Sequence, residues 1–188
     1  MSKPHYIIAD TEGTGLFLHS RTLPDGTKVT VRSDEPGQPR MAEYAHVLLD
    51  DGFNVEAEYS QYVTPVGWQN EDGSPMFEMP QGAYDVHGIT MDFLRSNGEE
   101  VWRALDRYEA AIRAGRILIG YNQQHDGRQI RAELRHAGRD DMFEQTPNIC
   151  AMRSITSNYK GQVKKLNGKG GFPRLIDAAA HFGIPYDE

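Results

Sequence analysis

Residues Tyr6 to Gly15 read YIIADTEGTG, a short apolar, β-branched run that ends in two carboxylates one residue apart and passes at once into small residues. Apolar side chains on consecutive positions specify a strand buried on both faces, and therefore a central one. Side chains two apart on a strand point the same way, so Asp10 and Glu12 converge if the strand continues through Glu12. Glu56 and Glu58 have the same spacing without that lead-in, so the spacing alone means little. The apolar approach to Asp10 carries two like charges to the end of a central strand, where they repel unless a cation sits between them. Oxygen donors with no His/Cys cluster at zinc spacing point to Mg²⁺ or Mn²⁺.

The remainder of the chain frames that strand. Asp25-Gly26 is a good hairpin tip within the polar, turn-rich stretch 22–40, which reads as a protruding hairpin or loop insertion. AEYAHVLLD and FNVEAEYSQYVTP flank Asp51-Gly52, predicting a second hairpin beside the first strand and hence a three-stranded antiparallel meander. Residues 65–83, with Pro65, Pro75 and Pro80, read as irregular chain. Beyond them the period lengthens. Thr90 caps a short helix, and Val101, Trp102, Leu105, Tyr108 and Ile112 recur at helical spacing up to Gly115. RILIGY is a buried strand, Ile130, Leu134 and Ala137 mark a second main helix ending at Gly138, and PRLIDAAAHFG is bounded by Pro173 and Gly183. A meander followed by alternating helix and strand predicts an α/β fold, a mixed sheet flanked by helices, in one domain spanning 1–188.

A formal charge of −7 with 38% hydrophobic residues suits a globular chain and confines any nucleic-acid contact to a local patch. Cys150 is the only cysteine, which removes an internal disulfide and agrees with a reducing, cytoplasmic setting. No apolar run approaches the ~18 residues of a membrane helix, so no membrane partner is expected.

A third carboxylate comes from LIGYNQQHDGRQIRAEL, where a buried strand leads to Asn122 and Asp126 lies in the first turn of the next helix. An acid there is favoured by the helix dipole alone, and Asn is a good N-cap; a metal ligand at a strand's exit is the functional reading. Together ADTEGTGL, VHGIT, GYNQQHDGRQIRAEL and LIDAAAHFGIP resemble, in order, segments of the DEDD (DnaQ-like) 3′→5′ exonucleases, in the proofreading-type branch with a catalytic histidine. The resemblance implies a ribonuclease H-like fold and a two-metal Mg²⁺ or Mn²⁺ site on Asp10, Glu12 and Asp126. It implies release of nucleoside monophosphates from single-stranded DNA or RNA 3′ ends by phosphodiester hydrolysis. Thr14, Gly15 and Leu16 fall where family members approach the terminal nucleotide. His87 and Asn122 are further contacts, although a structural hydrogen bond explains His87 equally well. A polymerase or another replication or repair protein is the implied protein partner.

The chain departs from that pattern at its end. The family's third motif, a histidine and an acid five residues apart, has no counterpart before the final YDE, since His181 and Asp187 are six apart with Gly183 and Pro185 between them. A chain without the general base is expected to be weak or inactive, because such assistance contributes ~10²–10⁴-fold. A truncated chain accounts for this more simply than a decayed site that retains Asp10, Glu12 and Asp126. The alternative is a catalytically impaired module of the same fold that binds nucleic acid or a protein. Lys160, Lys164, Lys165, Lys169 and Arg174 lie in a stretch free of acids, which reads either as a solvated loop or as a phosphate-tracking arm with Tyr159 or Phe172 to stack on bases. Lys164 and Lys165 are its candidate substrate contacts.

Overall fold

In the computed structural model, which describes residues 5–142, 144–158 and 171–185, the run around Asp10 forms strand β1, Tyr6–Gly13. The hairpin turn at Asp25-Gly26 joins β2, Ser20–Thr22, to β3, Lys28–Thr30. Strands β4, Met41–Leu49, and β5, Val55–Tyr62, form the second hairpin. Three helices follow: α1, Gln81–His87; α2, Met91–Asn97; and α3, Val101–Arg113. Then come β6, Ile117–Gly120; α4, Gln123–His136; β7, Asn148–Cys150; α5, Ala151–Asn158; and α6, Leu175–Phe182.

The main sheet has the order β5-β4-β1-β6-β7. Strand β1 is central, antiparallel to β4 and parallel to β6, and β7 continues the parallel half. The predicted mixed sheet is therefore observed, with the meander on one side and the crossover strands on the other. The three-residue β7 was not anticipated from NICAM, because three residues hold no readable period.

The expectation of burial on both faces of β1 is corrected. Ile7, Ala9 and Thr11 are buried, whereas Ile8 and Asp10 are exposed. Helices α3 and α4 supply Leu105, Tyr108, Ile112, Ile130 and Leu134 to a core with Ile7, Tyr44 and Leu118 on one side of the sheet. On the opposite side Ile8 and Asp10 line an open cleft with Ala45, Val47, Glu58 and Ser60.

Local punctuation behaves as read. Thr90 Oγ1 accepts a hydrogen bond from the Phe93 N–H (3.1 Å), and Gly183 ends α6 in the left-handed conformation with φ 66°. Other details differ. Trp102 is on the outer side of α3 beneath the Arg103 guanidinium, and Ala137 lies past α4 and is exposed. The irregular stretch ends at Pro80, where α1 begins. The second half of the 22–40 insertion does not protrude: Val31, Ser33 and Gln38 are buried, and Gln38 Nε2 donates to the Leu18 and Arg32 carbonyls. Among the described residues, no helix is long and apolar enough to cross a membrane.

Candidate functional site

Strand β1 stays paired with β4 through Glu12, so Asp10 and Glu12 do project from one face near its C-terminal end. Thr11 points the other way, into the packing against α4. There its backbone N–H (3.1 Å) and hydroxyl (2.9 Å) both donate to Asp126 Oδ1. The helix that carries the third acid is thus latched to the residue between the first two. One carboxylate oxygen of Asp126 is held by Thr11.

Electrostatics ties the three acids together. Desolvation raises the pKa of Asp126 to about 6, with the Asp10 charge adding to it against the lowering effects of Thr11 and His125. Glu12 is pushed up to about 7 by desolvation, then by Asp10, Glu43 and Asp126 in turn. Asp10 is raised by desolvation and partly relieved by His125. Like charges that disfavour one another's ionisation form a donor set whose charged state a divalent cation stabilises. Among the described residues, no group of three or more His, Cys, Asp or Glu side chains is gathered closely enough around one point to hold an ion as arranged.

The sequence reading missed Glu43. It stands directly across from Glu12 on β4, and its Oε1 accepts from Ser60 Oγ (2.9 Å). Counting the alternation back from the Asp51-Gly52 turn would have placed it on the acidic face, but the β-bulge at Glu12/Gly13 and the irregularity at Leu48/Leu49 obscure the register.

The remaining candidates divide by environment. Leu16 is 81% exposed at the mouth of a cleft that Asn122 and His125 also line. Thr14 is buried, and exchanges two hydrogen bonds with the Arg40 backbone: its N–H donates to the Arg40 carbonyl (2.9 Å) and its Oγ1 accepts from the Arg40 N–H (3.0 Å). Its side chain therefore shapes the turn. Gly15 follows at φ 150°, a conformation open to glycine, in the segment leading to Leu16. Asn122 stands at the N-cap position of α4 as read, but its side chain makes no capping bond and its backbone is left-handed at φ 61°. His87 Nδ1 accepts from the Ile89 N–H (3.0 Å), which leaves the proton on Nε2, 3.2 Å from the Gly13 carbonyl. Both ring nitrogens thus serve backbone groups, and one of them steadies the turn after Glu12. Lys164 and Lys165 lie outside the described residues.

Gly13 also has a packing reason. A Cβ there would meet Gln129 Oε1 at 2.8 Å and the Arg40 carbonyl at 3.3 Å. A side chain there would require the buried Gln129 side chain to move aside.

Thr11→Val keeps the shape but removes the hydroxyl from Asp126. At pH 8, where that carboxylate is charged, urea denaturation is expected to show a loss of about 1.5 kcal/mol, with the Thr11 N–H bond remaining. A variant as stable as the wild type would mean that the hydroxyl contributes nothing to the latch.

No family model matches the sequence, and no curated protein matches it. Solved structures do match in fold. A complex described as ExoI/SSB-Ct superposes with a TM-score of 0.71 at 19% identity, over 100% of this chain and 38% of that one. E. coli exonuclease I in complex with a dA16 oligonucleotide gives 0.70 at 18%, over 98% of this chain and 37% of that one. A product-bound exonuclease I gives 0.71 at 19%, over 100% and 40%. The chain thus spans about two fifths of the length of these structures, and shares with them the mixed sheet flanked by helices of a ribonuclease H-like exonuclease fold.

Proposed function

We propose that this chain is a nuclease domain of the DEDD type that removes nucleotides from the 3′ end of single-stranded nucleic acid. The observation that carries the reading is the arrangement at the end of β1. Asp10 and Glu12 face the open side of the sheet, while Thr11 between them holds Asp126 through two hydrogen bonds. Exonuclease I structures that share the fold were solved with dA16 and dT13 oligonucleotides and with product, which supports a strand substrate.

Asp10, Glu12 and Asp126 would hold Mg²⁺ or Mn²⁺, an all-oxygen donor set suited to hard cations. When bound, such ions supply Lewis acidity at phosphorus and an attacking water of lowered pKa. The protein's own groups then have separate tasks. Thr11 fixes one oxygen of Asp126 and leaves the other without a bond to Thr11. His87 and Thr14 hold the Gly13–Leu16 turn so that exposed Leu16 can lie against the terminal base. His125, beside Asp10 and Asp126, favours their charged forms.

A time course with 5′-labelled single-stranded DNA, and with its RNA counterpart, tests the reading. Mn²⁺ is expected to give a slow ladder shortening from the 3′ end, weakened by the missing general base, and EDTA to suppress it. Strand binding without any metal-dependent shortening would favour the second reading, a binding module of the same fold. The loosely gathered carboxylates are the observation that speaks for that module.

A further inference from the structure

A cleft of about 750 Å³ is bounded on one side by α4 and on the other by residues 16, 17, 19 and 31–33, which flank the β2–β3 hairpin. Asp10, Glu12 and Asp126 do not line it, but Leu16, Asn122 and His125, the neighbour of Asp126, do. Its walls are unusual for a chain of net charge −7: Arg128, Arg131 and Arg135 stand on α4 at helical spacing, and Arg32 faces them from the insertion.

Asp34 pairs with Arg32 at 2.8 Å, and Asp141 pairs with Arg131 (3.3 Å) and with Arg135. Arg128 has no carboxylate within ion-pair distance among the described residues. Its guanidinium sits instead over the buried Phe17 ring (5.1 Å) and against a ring nitrogen of His19 (2.7 Å). Arg131 and Arg135 follow it along the same helix. A cation held in the field of other cations is a site that an anion relieves.

We propose that this cleft is a phosphate track for the single strand behind its 3′ end, with Arg128 as the central contact and the 22–40 insertion as the opposing wall. At 1.5 Å per residue, the helix carries the row from His125 to Arg135 about 15 Å away from the site, the reach of a short run of backbone phosphates. Guanidinium groups suit that ligand because their forked donors match phosphate oxygens. Of its apolar lining residues Phe17 and Val31 are buried and only Leu16 is exposed, so the arginines offer contacts to the backbone rather than to the bases. The inference rests on the nuclease reading only for the direction of the strand.

The test is a binding titration of 5′-labelled dT12 in EDTA over a range of salt, with wild type, Arg128→Gln, Arg128→Lys and Arg32→Gln. Because binding is read without metal, failure of catalysis and failure of the track are separable. Arg128→Gln is expected to weaken binding roughly tenfold at low salt. It should also flatten the slope of log K against log salt by about 0.7, the value for one lost phosphate contact on a single strand. Arg128→Lys retains the slope, and Arg32→Gln, on the opposite wall, flattens it in the same way. Thermal melts of each variant separate misfolding from lost contact. An unchanged slope in Arg128→Gln, an equal loss in Arg128→Lys, or no binding of dT12 by the wild type would overturn the proposal. Binding that passes these tests with no 3′ shortening would leave the track standing and remove the exonuclease.

Discussion

Replacing Arg40 with methionine is expected to cost about 3–5 kcal/mol of folding stability, the cost of leaving a buried ion pair half-made. Arg40 Nε and a terminal nitrogen donate to the two oxygens of Glu133, each at 2.8 Å, and the Met41 N–H adds a third bond to the same carboxylate (3.0 Å). The Glu133 side chain is 1% exposed and that of Arg40 12%. Without the guanidinium, a carboxylate sealed from water keeps a single donor. Guanidinium denaturation should show the loss, and the double substitution Arg40→Met/Glu133→Leu should recover most of it, because two apolar groups leave no charge stranded. An Arg40→Met protein within about 0.5 kcal/mol of wild type would place this pair with surface pairs such as Arg103–Glu99, where such values are ordinary. The consequence reaches the site, since the Arg40 backbone also grips Thr14 in the turn that presents Leu16.

The second large effect concerns metal. Mn²⁺ at about 100 times its Kd is expected to stabilise the wild type by about 2.7 kcal/mol at pH 8, and Asp10→Ala to abolish both that gain and the heat of binding. For a domain of this size the gain corresponds to roughly 5–10 °C in Tm. The pH dependence follows from the raised carboxylates. Folded Glu12 and Asp126 keep protons up to about 7 and about 6, whereas the unfolded chain releases them near 4. Between those values the folded state binds more protons, so the contribution of these groups to stability is greatest below pH 4 and declines as pH rises towards 7. Metal competes with those protons, and its stabilisation should therefore grow over the same interval and be small at pH 5. Calorimetry with and without Mn²⁺ at pH 5 and pH 8 checks both signs. Equal Mn²⁺ affinity in wild type and Asp10→Ala would take Asp10 out of the site.

Much of the fold is legible in short stretches. The Asp25-Gly26 and Asp51-Gly52 turns, the Thr90 cap and the Gly183 stop all act within a few residues through backbone conformation and local hydrogen bonds. The order of elements follows from them, and so does the placement of Asp10 and Glu12 on one face of a central strand. The sheet also contains features too short or too irregular for pattern reading. The three-residue β7 is one, and the bulge that brings Gly13 opposite Met41 is another.

By itself, then, the sequence determined the hairpin turns, the main helices and which acids could share a strand end, but not the short elements α1, β7 and α5. Only the tertiary structure decided which side of β1 is covered, that Thr11 grips an acid 115 positions away, and that Glu43 faces Glu12. It alone paired Arg40 with Glu133 across 93 positions and set the arginines of α4 against the insertion. The physical reason is range. Turns and caps are specified by the conformational preferences of neighbouring residues, whereas these contacts arise when packing closes long loops, a step that no local period records.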